Sequence, residues 1–189
     1  CAPIVYTLGG HVSILQATND DFQGIGKPLP NGTYRVTVLE AKLETVDNGV
    51  RLSRMYGNIR TPAGETEIPS ENGSASYRIG NRKLFARSWD THTNPQAQEI
   101  GQREIKREAV AAGLMRKPKK GERIELNVNE EYVTQLVGRD LLVRTQIRTP
   151  YKHAQTGLYV RKPTPEQIAD GEVLAGQAQA DVVAWVESA

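Results

Sequence analysis

One cysteine in 189 residues leaves no partner for an intramolecular disulfide. The three histidines, His11, His92 and His153, stand far apart, so no set of zinc ligands suggests itself. Long apolar runs are missing as well. No stretch approaches the ~20 consecutive apolar residues of a membrane-spanning helix, and no membrane partner is expected. The phosphate-cradling GxxxxGK[ST] pattern is absent, as are the nucleophile elbow GxSxG and the zinc-protease signature HExxH. No pair of carboxylates is singled out by its surroundings. The expectation is a protein that is not an enzyme, without catalytic residues, cofactor or metal.

A large excess of one charge is also lacking: 24 Lys and Arg stand against 22 Asp and Glu, a formal net of +2. The distribution is uneven. All 24 basic residues precede residue 166, together with 17 of the acidic ones. Beyond it come Glu166, Asp170, Glu172, Asp181 and Glu187 and no Lys or Arg. A basic body is thus joined to an acidic tail, which a whole-chain sum conceals. The apolar share of 38% is close to the globular average and sufficient for one core.

Cys1 is read most simply as the residue left by removal of an initiator Met. A lipidated cysteine, an N-terminal nucleophile and a missing upstream segment are the alternatives. Residues 1–6 have the look of a β segment, and 18–30 form a polar, Gly- and Pro-rich loop. In residues 33–43, Tyr34, Val36 and Val38 alternate with Arg35 and Thr37, the period of a half-buried strand. Asp47, Asn48 and Gly49 are a turn signal, so 33–60 reads as a hairpin. An exposed excursion over 61–73 precedes a strand-like stretch, 77–90.

The period then lengthens. Asn94 and Pro95 cap and open a helix whose apolar stripe is Ala97, Ile100, Ile105, Ala109 and Ala112, with Gly113 ending it. Arg116 to Lys120 is a basic loop. The alternation of Ile124, Leu126 and Val128 predicts a strand over 122–129. A short helix over 130–137, a strand over 140–149 and a hairpin around 151–162 follow. The acidic tail, closing on Val182, Val183, Trp185 and Val186, reads either as a competitor for a basic groove or partner hook, or as a helix packed on the body. The count is a mainly β (α+β) domain with one long helix between strands.

Single-strand nucleic-acid binding needs cations for phosphates and flat rings for bases. Tyr77, Arg82, Lys83, Phe85, Arg87 and Trp89 interleave the two within thirteen residues, and on a strand Lys83, Phe85, Arg87 and Trp89 share one face. Tyr151, Lys152, Tyr159 and Lys162 repeat the mixture around the later hairpin. Arg144 and Arg148 share a face of the strand leading into it. The competing structural reading makes Phe85 and Trp89 core residues and pairs Arg144 and Arg148 with carboxylates.

Several segments, in order and spacing, resemble a family of bacteriophage proteins, the DUF669 group, taken to bind single-stranded DNA. They are PLPNGTY at 28–34, the turn at Gly49, KLFARSW at 83–89 before Asn94, and AQEIG at 97–101 leading to AVAAG at 109–113. LVGRDLLV at 136–143, the hairpin from Tyr151 to Tyr159 with Gly157, and Gly171 to Val173 complete them. The resemblance implies an OB-like five-stranded barrel over 19–162, flanked by an N-terminal extension, 1–18, and the acidic C-terminal tail, 163–189. It implies a protein that coats single-stranded DNA in phage replication and recombination, in the cytoplasm of an infected bacterium. A homo-oligomer is expected, with replication or recombination proteins recruited through 166–189. The alternatives are a phage structural subunit, capsid-decorating or of the tail, and an enzyme such as a nuclease or a hydrolase acting through Cys1.

Overall fold

The computed structural model describes residues 28–69, 76–160, 162–176 and 178–186. The expected extension 1–18, with Cys1, lies outside the described residues. Strands β1 (Gly32–Val46) and β2 (Gly49–Arg60) form the expected hairpin. Gly49 sits at φ 145°, and a Cβ there would lie 2.1 Å from the Thr91 carbonyl oxygen, so the turn requires glycine. Tyr34, Val36 and Val38 face the core, as their alternation predicts. Register shifts then reverse the parity. An extra residue near Leu39 turns Ala41 and Leu43 inward, and Asn58, at φ 49°, marks a second shift before buried Ile59.

A two-stranded ladder, β3 (Glu67–Pro69) and β4 (Ser76–Arg78), precedes β5 (Leu84–His92), which pairs with β2. Tyr77 therefore belongs to a different sheet from Phe85 and Trp89. Helix α1 (Pro95–Ala111) follows, its first N–H groups donating to the Asn94 side chain. It ends at Gly113, φ 68°, where Leu114 N–H bonds the Ala109 carbonyl (2.9 Å) and Gly113 N–H that of Val110 (3.0 Å). Helix α2 (Glu130–Leu136) leads into β6 (Asp140–Arg148), which pairs with β1. Strands β7 (Tyr151–His153), β8 (Tyr159–Val160) and β9 (Val173–Ala175) make a small separate sheet, with helix α3 (Pro165–Ala169) inserted before β9. Strand β10 (Gln179–Val186) returns to pair with β6.

The chain is mainly β, built on a five-stranded antiparallel sheet of order β10-β6-β1-β2-β5 with few helices. The pairings make β5 and β10 run in the same direction. These two edges approach one another without a hydrogen-bonded ladder, so the sheet curls but does not close. Three expectations need correction. Residues 122–128 do alternate, with Ile124, Leu126 and Val128 half-buried, yet they join no ladder among the described residues. Residues 179–186 are an edge strand of the main sheet rather than a tail or a helix, because Val182 and Trp185 have core to cover. Ile100 is exposed; its neighbour Gly101 packs against β5 instead, fitting where a Cβ would sit 2.3 Å from the Trp89 backbone.

Helix α1 packs across the gap between β5 and β10, and a buried polar cluster fastens it there. Arg54, on β2, donates through Nε to Glu108 Oε1 (3.2 Å) and lies 3.0 Å from Oε2; both side chains are fully buried. Its other nitrogens reach the Leu52 carbonyl (2.7 Å) and Ser88 Oγ (3.0 Å). Tyr56 donates to Glu108 and accepts from Trp185 Nε1 (3.2 Å), while Ser88 donates to Glu104 (2.7 Å). Burial, the largest single influence, would lower the Arg54 pKa, but the Glu108 carboxylate together with Tyr56 and Tyr132 outweighs it and holds the guanidinium charged.

Removing one member leaves the other charge buried and unpaired. Glu108→Leu is expected to cost about 3–5 kcal/mol in urea-unfolding free energy, and Arg54→Met combined with Glu108→Leu to recover most of it. Equal losses for the single and double variants would refute the coupling.

Candidate nucleic-acid interface

Strand β5 alternates cleanly. Leu84 and Ser88 are buried and Ala86 half-buried beneath the sheet. Phe85, 61% exposed, points outward with Arg87, and Lys83 precedes them in the same phase. The register sets Met55 opposite Phe85, Ser53 opposite Arg87 and Arg51 opposite Trp89 on the same outer face. The result is an apolar pair, Phe85 and Met55, bordered by cations.

Beside this face a trough of about 780 Å³ opens between the leading halves of β5 and β10. Arg82, Lys83, Phe85 and Arg87 line one wall, and Arg148 of β6 lies among the residues opposite. The guanidinium of Arg82 stacks over the Tyr77 ring at 4.3 Å. Two carboxylates that the sequence did not suggest, Glu104 of α1 and Asp181 of β10, also line it. Burial raises the Asp181 pKa, with Arg148 pulling the other way.

The sequence-selected residues therefore divide. Arg82, Lys83, Phe85, Arg87 and Arg148 converge on the trough. Trp89 shares their strand face but is half-buried, its ring edge-on to His92 at 4.3 Å. Tyr77 is half-buried, its hydroxyl donating to the Pro28 carbonyl (3.0 Å), so its ring supports Arg82 rather than offering an open face. Arg144 lines a different cleft. Tyr151 and Lys152 lie on β7, Tyr159 on β8, where only its backbone is described, and Lys162 is exposed beyond it. Tyr151, Lys152 and Lys162 do not line the trough. The separation follows from topology: β7 to β9 form their own sheet, and spacing along the sequence cannot show which strands share one. Met55, which joins the face through strand register, carries no signal of its own in the sequence.

On the same outer surface, Glu44 gathers Lys42 (2.7 Å), Arg51 (2.8 Å) and Ser53 (2.6 Å). These hydrogen bonds, that from Lys42 foremost, hold the Glu44 carboxyl down at about 2 against an ordinary 4.5. A depressed carboxyl contributes its stability above the unfolded value and loses it as the pH falls through the folded one. Acid unfolding should thus show a component between pH about 4.5 and about 2 that Glu44→Gln removes. Coincident acid profiles for the two proteins would contradict this. No protein-family model matches the chain, and no curated protein is found similar to it.

Proposed function

We propose that the protein binds and coats single-stranded DNA without strong sequence preference and catalyses no reaction, as the resemblance to the phage family implies. The observation that carries this reading is the side-by-side display of Lys83, Phe85 and Arg87 on the outer face of β5, next to a trough edged by Arg82 and Arg148. Phe85 offers a face for a base, with Met55 beside it, and the cations meet the phosphates. The proposal includes an OB-type architecture with its seam left open between β5 and β10. In its favour are the strand order, the helix between β5 and β6, and the approach of the two edges. On such a fold the outer surface of the second and third strands, here β2 and β5, binds the strand. Replication or recombination in the cytoplasm of an infected bacterium is the setting proposed.

Titration of fluorescent oligo-dT tests the reading. Phe85→Ala should weaken binding by about 1–3 kcal/mol, more than Trp89→Ala, since half-buried Trp89 is already packed edge-on against His92. Lys83→Ala and Arg87→Ala should each flatten the dependence of log K on log salt by ~0.7 for every phosphate left without its cation. Glu44→Gln, releasing Lys42 and Arg51, should tighten binding. Affinity indifferent to salt, or no binding, would sink the reading and favour a structural subunit.

A further inference from the structure

A second cleft, of about 1240 Å³, opens where α1, residues 122–128 and the end of β10 meet. Its lining is amphipathic. Ile105, Ile124, Leu126 and Trp185 supply apolar surface. Lys106, Arg107, Arg123 and Arg144, all exposed, supply charge and form no ion pair among the described residues. Of the three carboxylates that line it, Glu122 is committed to Arg116 and burial raises the Asp90 pKa. Beside α1, the other two walls are extended backbone. Residues 122–128 pair with no strand among the described residues, and β10 is paired along only one edge. Two extended segments beside an apolar floor suit a polypeptide better than a polynucleotide, because main-chain groups can add to the edges while alternate side chains fill the floor.

The occupant this cleft fits is acidic, with apolar side chains spaced between its charges. The chain displays such a segment elsewhere. Over 163–176 there is no Lys or Arg; Glu166 and Ile168 on helix α3, Asp170 and Glu172 just beyond it, and Leu174 on strand β9 mix acid and aliphatic, all five are exposed, and among the described residues β9 is paired along only its β7 edge. None of them lines the cleft of its own chain. We infer that a second copy of this chain docks its 163–176 segment into the cleft between α1 and 122–128. Groove and segment are different surfaces, so the association is head-to-tail, and repetition builds a ring where the rotation closes and an open string of subunits where it does not. The inference stands apart from strand binding, and association is read without nucleic acid, oligo-dT entering only as the control that assigns the cleft.

Sedimentation velocity of the full chain at low salt, over a rising concentration series, should show mass increasing with concentration and falling back when salt is added. The groove variant Arg107→Glu with Arg123→Glu, and the segment variant Glu166→Lys with Asp170→Lys, should each sediment as monomers. Mixed, they should associate again, since each reversed groove then meets a reversed segment. Circular dichroism checks that both are folded, and Arg107→Gln with Arg123→Gln, which should lower association at least tenfold, replaces a groove variant that is not. The idea is overturned if the wild type stays monomeric at every concentration, if both reversals leave association intact, or if the mixture stays monomeric. It is equally overturned if the groove variant loses oligo-dT affinity in a protein that never self-associates, because the cleft then serves nucleic acid.

Discussion

Arg54 and Glu108 are both fully buried, on a strand and a helix that only the folded chain brings together. Isolated in a core, either charge would be prohibitively costly. Together, and with Tyr56, Ser88 and the Leu52 carbonyl also accepting from the guanidinium, they become a fastening. Its members come from β2, β5, α1 and β10: Trp185 joins through Tyr56, and its ring lies 5.3 Å from the Arg54 guanidinium carbon. One polar cluster thus fixes how α1 lies across the gap between β5 and β10. An apolar cluster of equal volume would bury as much surface but would tolerate sliding; hydrogen-bond directions specify a position.

That fastening explains why the sheet curls without closing. Strands β5 and β10 run parallel, and each carries an irregularity, at Asp90 in β5 and at Val183 in β10. Both edges bend away from the geometry a ladder would need. The seam is held instead by side chains of α1, with Gly101 allowing the helix to lie against the Trp89 backbone. Because α1 occupies only the middle of the seam, a recess remains on either side of it. One is the trough beside Phe85, and the other is the amphipathic cleft at the far ends of the two strands; Trp185 borders both. The two candidate surfaces are therefore products of one helix placement.

Much of this could be read from the residues, where the physics is local. The hairpin of β1 and β2 follows from alternation and a turn at Gly49, and α1 from its Asn94 cap and Gly113 stop. The outward phase of Lys83, Phe85 and Arg87 follows from period two alone. What failed was whatever depends on a distant partner. Alternation reports which side of a segment is buried, not whether it finds a ladder, so 122–128 reads as a strand and is none. Acidic composition suggested a separate tail, although the sheet needed β10 to cover Val143 and Tyr56. Glu108 lies on the buried stripe of α1, where a charged residue gives no hint of burial until Arg54 is known to face it. Tyr77 and Phe85 are eight residues apart, and the turn at Gly80 and Asn81 puts them in different sheets.

The near-zero net charge acquires a physical meaning from this arrangement. A uniformly basic protein binds a polyanion but repels its own kind along it. Here the cations concentrate on the β5 face and around the α1 cleft, while the acids beyond residue 165 fall mainly on the exposed 163–176 segment. In the proposed coating role, attraction to a phosphate chain and attraction between neighbours would draw on separate surfaces, and both would weaken as salt rises over a Debye length of ~10 Å at 0.1 M. Charge segregation, rather than charge excess, is what would let so nearly neutral a chain meet both demands of that proposal.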